Sequence, residues 1–370
     1  MASLNNLKID RRTLLLGGLA AGVAPLLLSG CAPTGTSGGS GTGTLNWLTW
    51  SDHFSNDQLT KVASLTGITG RPKLFSGNSD ALIQLKQTGS QFDLVSADAL
   101  WVKKYREDGL IDAFALDEIA ASKELYSVAK ELSFFQDPQG YLGFPFSWSS
   151  VQIYYNPSLI KTPPTSWESL TDPAYKGLVV AENIPTDLMA IAGIATGSKS
   201  PYELDSSGIS KATDYLKALK PNMVKFATQN SEIVSMLASG AAAIGISNLG
   251  TDLRVKAAGG PEISSAYPTE GTIGFIDSEM ITSHGNNKPL VKKFLNAMET
   301  SEYIVENFKT NRRPLLNEKA ANILLNDPKT AESAKRLFMG QPEKALAMTL
   351  KGPAGDQQAY TEAFNQVFGA

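Results

Sequence analysis

The chain has 370 residues, of which 42% are hydrophobic, and a formal net charge of −3 at pH 7. A chain of this size can bury two separate cores, and a mildly acidic chain without a block of Lys or Arg lacks the electrostatic footprint of a nucleic-acid-binding protein. With two histidines and one cysteine in the sequence, neither a zinc site nor a Cys–His nucleophile is expected, and no cofactor is predicted.

The first thirty residues have the pattern of an export signal. Three basic residues, Lys8, Arg11 and Arg12, precede the uncharged run LLLGGLAAGVAPLLL at 14–28, and LLSGC ends at Cys31. Fifteen apolar residues in a helix reach about 22 Å, which is short of the ~30 Å hydrocarbon core of a bilayer. Export is therefore the better interpretation, and a permanent membrane helix is the weaker one.

Two motifs in this segment indicate how the chain is exported and held. LLSGC resembles the lipobox of bacterial lipoproteins, which implies that the thiol of Cys31 is acylated. IDRRTLL resembles a twin-arginine signal, although Asp10 and Leu15 depart from the preferred residues, so both the Tat and the Sec routes stay open. The Gly, Ser and Thr residues of 32–44 are typical of a flexible tether. We expect a lipid-anchored protein in the periplasm or on the outer face of the cytoplasmic membrane.

After the tether, strands and helices alternate. LNWLTW at 45–50 predicts a strand, 56–67 a helix, 71–77 a strand and 79–89 a helix with Ser79 as its cap. FDLVSAD at 92–98 predicts a third strand, and a helix follows it. This alternation indicates an α/β domain with a largely parallel sheet, whose ligands bind beyond the carboxyl ends of the strands. Four residues at the end of the first strand, and one at the end of the third, belong at that edge: Trp50, Ser51, Asp52, His53 and Asp98.

A second α/β series follows the β-rich segment 141–157. The strand KGLVVAEN ends at Glu182 and Asn183, and the buried strand AAAIGISN ends at Ser247 and Asn248. The segment YPTEGTIGFIDSEMIT at 267–282 predicts a connection into a further strand, and the remainder of the chain is mostly helical. The sequence therefore predicts two α/β units, each with polar residues at its strand ends.

Six segments in the same order resemble the spermidine/putrescine-binding proteins of bacterial ABC importers. They are the W-S-D-H strand end, FDLVSAD with its REDGLI helix end, GFPFSWSSVQIYYNP, TSWESLTDPAYKGLVVAEN, LASGAAAIGISN and YPTEGTIGFIDS. The resemblance implies a two-lobed periplasmic-binding-protein fold, in which each lobe is a mostly parallel sheet flanked by helices. It places 45–147 and 276–313 in the first lobe and 148–275 and 314–370 in the second, after a signal at 1–30 and a tether at 31–44. The ligand cleft lies between the lobes, which close on the solute.

The same resemblance implies the role of individual residues. Carboxylates of the family meet the ammonium groups of a polyamine, and aromatic faces pack on its methylenes. Asp277 falls on the family's cation-binding aspartate. Ser247 stands where a tryptophan is usual and Arg312 stands near a tyrosine position, so the aromatic enclosure is incomplete. The expected ligand-binding residues are Trp50, Ser51, Asp52, His53, Asp98, Glu182, Asn183, Thr186, Ser247, Phe275, Asp277 and Arg312.

The predicted function is capture of a polyamine-like cation, such as putrescine or spermidine, and its delivery to the permease subunits of an ABC importer. The protein is expected to be a monomer that is not an enzyme and binds no nucleic acid. Two alternatives stay open at this point. One is the same fold and role with a different small solute, which could be another amine, a carboxylate or a metal ion. The other is a secreted α/β enzyme, which the lack of an assembled nucleophile and base disfavours.

Overall fold

The computed structural model describes residues 42–346 and 348–369. The predicted export signal, Cys31 and most of the predicted tether lie outside the described residues. Within the described part of the chain, no helix combines the length and the apolar character that crossing a membrane requires.

Twelve strands occur in the described ranges, and most belong to one extended sheet. They are β1 (Gly43–Thr49), β2 (Ile68–Leu74), β3 (Leu94–Asp98), β4 (Gln136–Asp137), β5 (Gly140–Tyr141), β6 (Phe144–Tyr155), β7 (Val179–Glu182), β8 (Met223–Ala227), β9 (Ile244–Asn248), β10 (Ser264–Ala266), β11 (Ile273–Ile281) and β12 (Thr349–Leu350). The first strand begins two residues inside the predicted tether, because Gly43 and Thr44 pair with β2.

The strand order is β2-β1-β3-β11-β6-β9-β7-β8. The strands β2, β1 and β3 are parallel, as are β9, β7 and β8. The long strands β6 and β11 connect these two groups: β6 pairs with β11 along its first half and with β9 along its second half. The two parallel groups therefore share a central pair of strands, and their carboxyl ends approach each other at that pair.

Thirteen α-helices surround the strands in the same ranges. They are α1 (Asn56–Thr66), α2 (Asn78–Thr88), α3 (Val102–Glu107), α4 (Ser127–Lys130), α5 (Pro185–Ala195), α6 (Ser206–Leu219), α7 (Asn230–Ser239), α8 (Thr251–Ala257), α9 (Lys288–Glu299), α10 (Ser301–Asn311), α11 (Glu318–Asn326), α12 (Ala331–Arg336) and α13 (Gln357–Phe368).

The ends of α1 agree with the sequence prediction, whereas the start of α2 differs from it. The hydroxyl of Ser55 accepts a hydrogen bond from the Gln58 amide at the start of α1, and Gly67 ends that helix in the left-handed conformation at φ 71°. The predicted cap Ser79 instead lies inside the first turn of α2, which begins at Asn78. The helix starts earlier because the Asn78 side chain bonds to Asp98 across the edge of the sheet.

The buried side chains form two main cores. The first contains residues of β1, β3, α9 and α10, and the second contains residues of β7, α5, α6 and α13. Leu315, Leu324 and Leu337 belong to the first core, whereas Tyr360 and Phe364 belong to the second. A smaller third core lies under α7 and α8. The chain thus folds as two packed bodies joined by the strands that cross between them.

Candidate functional site

A cleft of about 240 Å³ opens where the strand ends of the two bodies meet. Residues after β1, β3, β7 and β9 line it, together with the middle of β11 and the C-terminal segment around Lys351. This position follows the general rule for α/β sheets, whose loops at the carboxyl ends of strands form the binding crevice. Six acidic residues and two basic residues contribute to the lining: Asp52, Asp80, Asp98, Glu182, Asp187, Asp277, Arg313 and Lys351.

A buried guanidinium joins two of the acidic residues. Arg313 forms ion pairs with Asp277 and with Asp52, the latter at 3.2 Å, and its side chain is 3% exposed. Asp277 itself is 1% exposed. A register shift between β11 and β6 falls directly after Asp277, and such irregularities commonly re-aim a side chain. The carboxylate that the resemblance singles out is therefore already paired with a cation of the chain.

A neutral hydrogen-bonded group lies behind this ion pair. His53 is 2% exposed, with Nδ1 3.0 Å from a Glu279 oxygen and Nε2 3.5 Å from an Asp277 oxygen. Trp47 and Ser96 also donate to Glu279. Burial, and then the charge of Arg313, lowers the pKa of His53, while burial raises the pKa of Glu279. Both groups therefore favour their neutral forms, and His53 supports the back of the cleft rather than its rim.

The second cation of the cleft lies among carboxylates of both bodies. The Lys351 ammonium lies 2.7 Å from Asp187, and the lysine is 6% exposed. Burial alone would lower the pKa of Lys351, but the negative charges of Asp187, Asp98 and Glu182 outweigh burial and raise it. The lysine therefore stays charged and neutralises part of this acidic group.

The two remaining carboxylates of that group have raised pKa values. Asp98 accepts a hydrogen bond from Asn78, and burial raises its pKa to about 6. Burial raises the pKa of Glu182 to about 7, and its carboxylate accepts no hydrogen bond from any described residue. Glu182 is half-buried, and a carboxylate that is partly removed from water without a hydrogen-bond donor is costly to ionise. These two groups can therefore gain a cationic partner from solution.

Direct contacts close the cleft in this conformation. The side-chain amide of Gln229 in the second body donates to the Phe75 carbonyl of the first at 3.0 Å. Arg254 of α8 donates to the Asn311 carbonyl at the end of α10, at 2.9 Å. These two hydrogen bonds join the two bodies in this conformation.

Aromatic rings contribute at three places. Trp50 packs against Phe75 with ring centroids 4.4 Å apart, and its indole Nε1 has no partner in the described chain. Trp101 also lines the cleft. The Phe275 ring centroid lies 4.8 Å from Lys351 Nζ and 5.6 Å from Arg313 Cζ.

Ten of the twelve residues expected from the sequence line this cleft, and the other two, Ser247 and Arg312, do not. Among the ten, Asn183 is exposed at the edge of the cleft, and Thr186 is buried and accepts a hydrogen bond from Gln357. Ser247 faces inward, where it forms hydrogen bonds with Asn230 and Thr251. Arg312 ends α10 with φ 49°, and its guanidinium lies over the Phe308 ring. Placement in the cleft does not test binding, so the ligand-binding role of these residues stays a prediction.

The structure adds residues that sequence reasoning missed, chiefly Arg313, Lys351 and Asp187. Arg313 is the neighbour of the arginine that was expected, and Asp187 follows Glu182 closely in the segment after β7. No sequence pattern indicates Lys351, because the strand before it has only two residues and is too short to be predicted. Among the described residues, no three His, Cys, Asp or Glu side chains are arranged to hold a metal ion.

Comparisons with known proteins agree with this architecture. The sequence profile of a family described as bacterial extracellular solute-binding protein matches residues 76–336, and the chain belongs to that family. A spermidine/putrescine-binding periplasmic protein of Salmonella typhimurium is 24% identical over 353 residues, which cover 92% of this chain and 96% of that protein. The protein of the same description from Escherichia coli is 25% identical over 259 residues, 68% of this chain and 72% of that protein.

A solved structure extends the similarity to the fold. The structure described as a putative spermidine/putrescine ABC transporter from Listeria monocytogenes superimposes with a TM-score of 0.76 at 21% identity, covering 88% of this chain and 97% of that one. The predicted family and the predicted two-lobed α/β fold are therefore confirmed. Family and fold are those of the solute-binding proteins of ABC transporters, not of enzymes.

Proposed function

We propose that this protein captures a small cationic amine of the polyamine-like class and delivers it to the permease subunits of an ABC importer. The observation that carries the proposal is the acidic excess of the cleft, where six carboxylates face only two cations. A cation in a low-dielectric cleft needs a paired anion, and these carboxylates supply it. The names of the relatives from Salmonella typhimurium and Escherichia coli support the same class of solute.

Within the cleft, Glu182 and Asp98 are the best-placed partners for the ammonium group. Asp277 and Asp52 share Arg313, and Asp187 is paired with Lys351. Glu182 has no side-chain partner among the described residues, and Asp98 has a neutral one. The carboxylate of Asp277 then serves mainly to hold Arg313.

We further propose that the two cores correspond to two lobes that close on the solute. Residues 45–147 and 276–313 form the first lobe and 148–275 the second, as the sequence indicates. The resemblance puts all of 314–370 in the second lobe, but we propose that 314–345 belong to the first, because Leu315, Leu324 and Leu337 pack in its core. The last helix, α13, stays with the second lobe, since Tyr360 and Phe364 pack there.

Titration calorimetry with putrescine, spermidine and monoamines tests the solute class. At least one of these amines is expected to bind, with an affinity that falls from pH 8 to pH 6. Protonation of Glu182, whose pKa is about 7, removes the negative charge that the ammonium requires. The same saturated sample should have a smaller radius of gyration in solution scattering, because the lobes close. Binding of a carboxylate or a metal ion, with no binding of any amine, would contradict the proposal.

The lipid anchor is a separate proposal that rests on the sequence of residues 27–31. We expect the wild-type protein to fractionate with membranes and Cys31→Ala to be released or left unprocessed, because only this cysteine is available for acylation. Ser29→Ala keeps the thiol and serves as the control. A soluble wild-type protein whose N-terminus lies elsewhere would refute the anchor while leaving the solute-binding proposal intact.

A further inference from the structure

The cleft contains two cations that belong to the chain itself, and they flank one aromatic ring. Lys351 Nζ and Arg313 Cζ lie 4.8 and 5.6 Å from the centroid of Phe275. Because both distances refer to one ring, the two charges are at most about 10.4 Å apart. Two cations beside an aromatic face, each paired with carboxylates, reproduce the features that a bound diamine would show.

Both cations are held firmly by the carboxylates around them. Arg313 bridges Asp277 and Asp52, and Lys351 pairs with Asp187. The two basic side chains are 3% and 6% exposed. Removing Arg313 would leave the buried Asp277 uncompensated, which is strongly unfavourable. Removing Lys351 would leave the half-buried Asp187 without its cation. A solute is therefore not expected to displace them.

The rest of the lining offers few places for additional charge. Glu182 accepts no hydrogen bond in the described chain, Asp98 bonds only to Asn78, and Asp80 bonds to the neutral side chains of Ser76 and Gln84. Neutral side-chain amides also line the cleft and can both donate and accept hydrogen bonds. These amides belong to Asn78, Asn183, Gln229, Asn230, Asn248 and Gln357. Four of them already donate to other residues of the chain, whereas the NH2 groups of Asn183 and Asn248 have no partner among the described residues. Such donors suit the hydroxyl groups of a solute.

We propose that Lys351 and Arg313 occupy the positions of additional ammonium groups, so that the solute carries a single ammonium and a hydroxyl-bearing body. Its ammonium binds between Glu182 and Asp98, and its hydroxyl groups bind the amides. This inference rests on the proposed capture of a cationic amine and narrows the class of that amine. Lys351 is the specificity-determining residue, because a second ammonium on the solute would meet its like charge.

Two ligands of equal chain length provide the test. 4-Amino-1-butanol and putrescine differ only at one end, where a hydroxyl replaces an ammonium. Calorimetry on the wild-type protein should show tighter binding of the amino alcohol, by about tenfold or more. Lys351→Met removes the like charge at similar volume and frees Asp187. The affinity ratio should then move toward putrescine by about tenfold or more.

Controls separate specificity from folding. Lys217→Met removes an exposed lysine of the second core's helix α6 and should leave the ratio unchanged. If Lys351→Met melts early, the double variant Lys351→Met with Asp187→Asn removes the ion pair as a unit. That variant should still shift the ratio toward putrescine, although by less, since the freed carboxylate is gone.

The outcomes distinguish this inference from the proposed function. Tighter binding of putrescine by the wild type, with a ratio that Lys351→Met leaves unchanged, overturns the single-ammonium inference while the capture of cationic amines survives. Failure of every amine to bind overturns the proposed function and this inference together. Preference for the amino alcohol, reversed or reduced in the Lys351 variants, supports both.

Discussion

Replacing Arg313 with methionine is expected to lower the free energy of unfolding by about 3–5 kcal/mol. The guanidinium is the shared partner of Asp277 and Asp52, and the Asp277 side chain is 1% exposed. Methionine fills much of the same volume but leaves that carboxylate buried without a counter-charge. Removing one member of a buried pair costs more than the pair itself contributes, because the remaining charge stays desolvated. Chemical denaturation followed by circular dichroism measures the change.

Arg312→Met is the matched control for this prediction. It replaces the adjacent arginine, whose guanidinium lies over the Phe308 ring rather than in the cleft. We expect its effect to stay below about 1 kcal/mol. The double variant Arg313→Met with Asp277→Asn should recover most of the lost stability. Equal losses in the two single variants would show that the Arg313 pairs contribute little.

Replacing Glu182 with glutamine is expected to weaken binding of the cationic amine by about thirtyfold or more, which corresponds to ~2–5 kcal/mol. The substitution keeps the shape of the side chain and removes the charge that the ammonium requires. It should also stabilise the ligand-free protein at pH 8 by about 1–3 kcal/mol. We therefore expect Glu182→Gln to lower the affinity for the amine and to raise the free energy of unfolding, because the charge of Glu182 serves binding and destabilises the folded protein.

The sign of the stability change follows from the pKa of Glu182. Burial raises this pKa to about 7, so the folded protein holds the proton more tightly than the unfolded chain. The resulting stability is fully present below the ordinary glutamate pKa and is lost as the pH rises through 7. The difference in stability between the wild type and Glu182→Gln should therefore be small at pH 5 and larger at pH 8.

Glu262→Gln provides the control, because Glu262 is exposed and lies outside the cleft. It should change neither amine affinity nor stability. If Glu182→Gln binds the amine as tightly as the wild type does, the ammonium lies elsewhere in the cleft. Asp277 and Asp98 would then be the next positions to test.

Local pattern in the sequence was sufficient for the fold class and for the side of the sheet that carries the cleft. The alternation of strands and helices, and polar residues at the ends of β1, β3 and β7, indicate the site because strand ends of parallel sheets share one edge. The resemblance supplied the two-lobed arrangement. Helix boundaries were less well predicted. Helix α2 starts at Asn78 instead of after Ser79, because the Asn78 side chain donates a hydrogen bond to Asp98 at the end of β3.

The sequence by itself indicated the class of protein and most of the cleft residues, and it predicts an export signal, since these depend on composition, periodicity and contiguous motifs. Only the tertiary structure decided which charges meet. Arg313 rather than Arg312 enters the cleft because the left-handed backbone at Arg312 turns the chain as α10 ends. Lys351 reaches Asp187 from a C-terminal segment with no motif of its own. Electrostatic pairing depends on distance in space. Charged residues that are far apart in the chain come close together only when the sheet and the segments that connect its two groups of strands have folded.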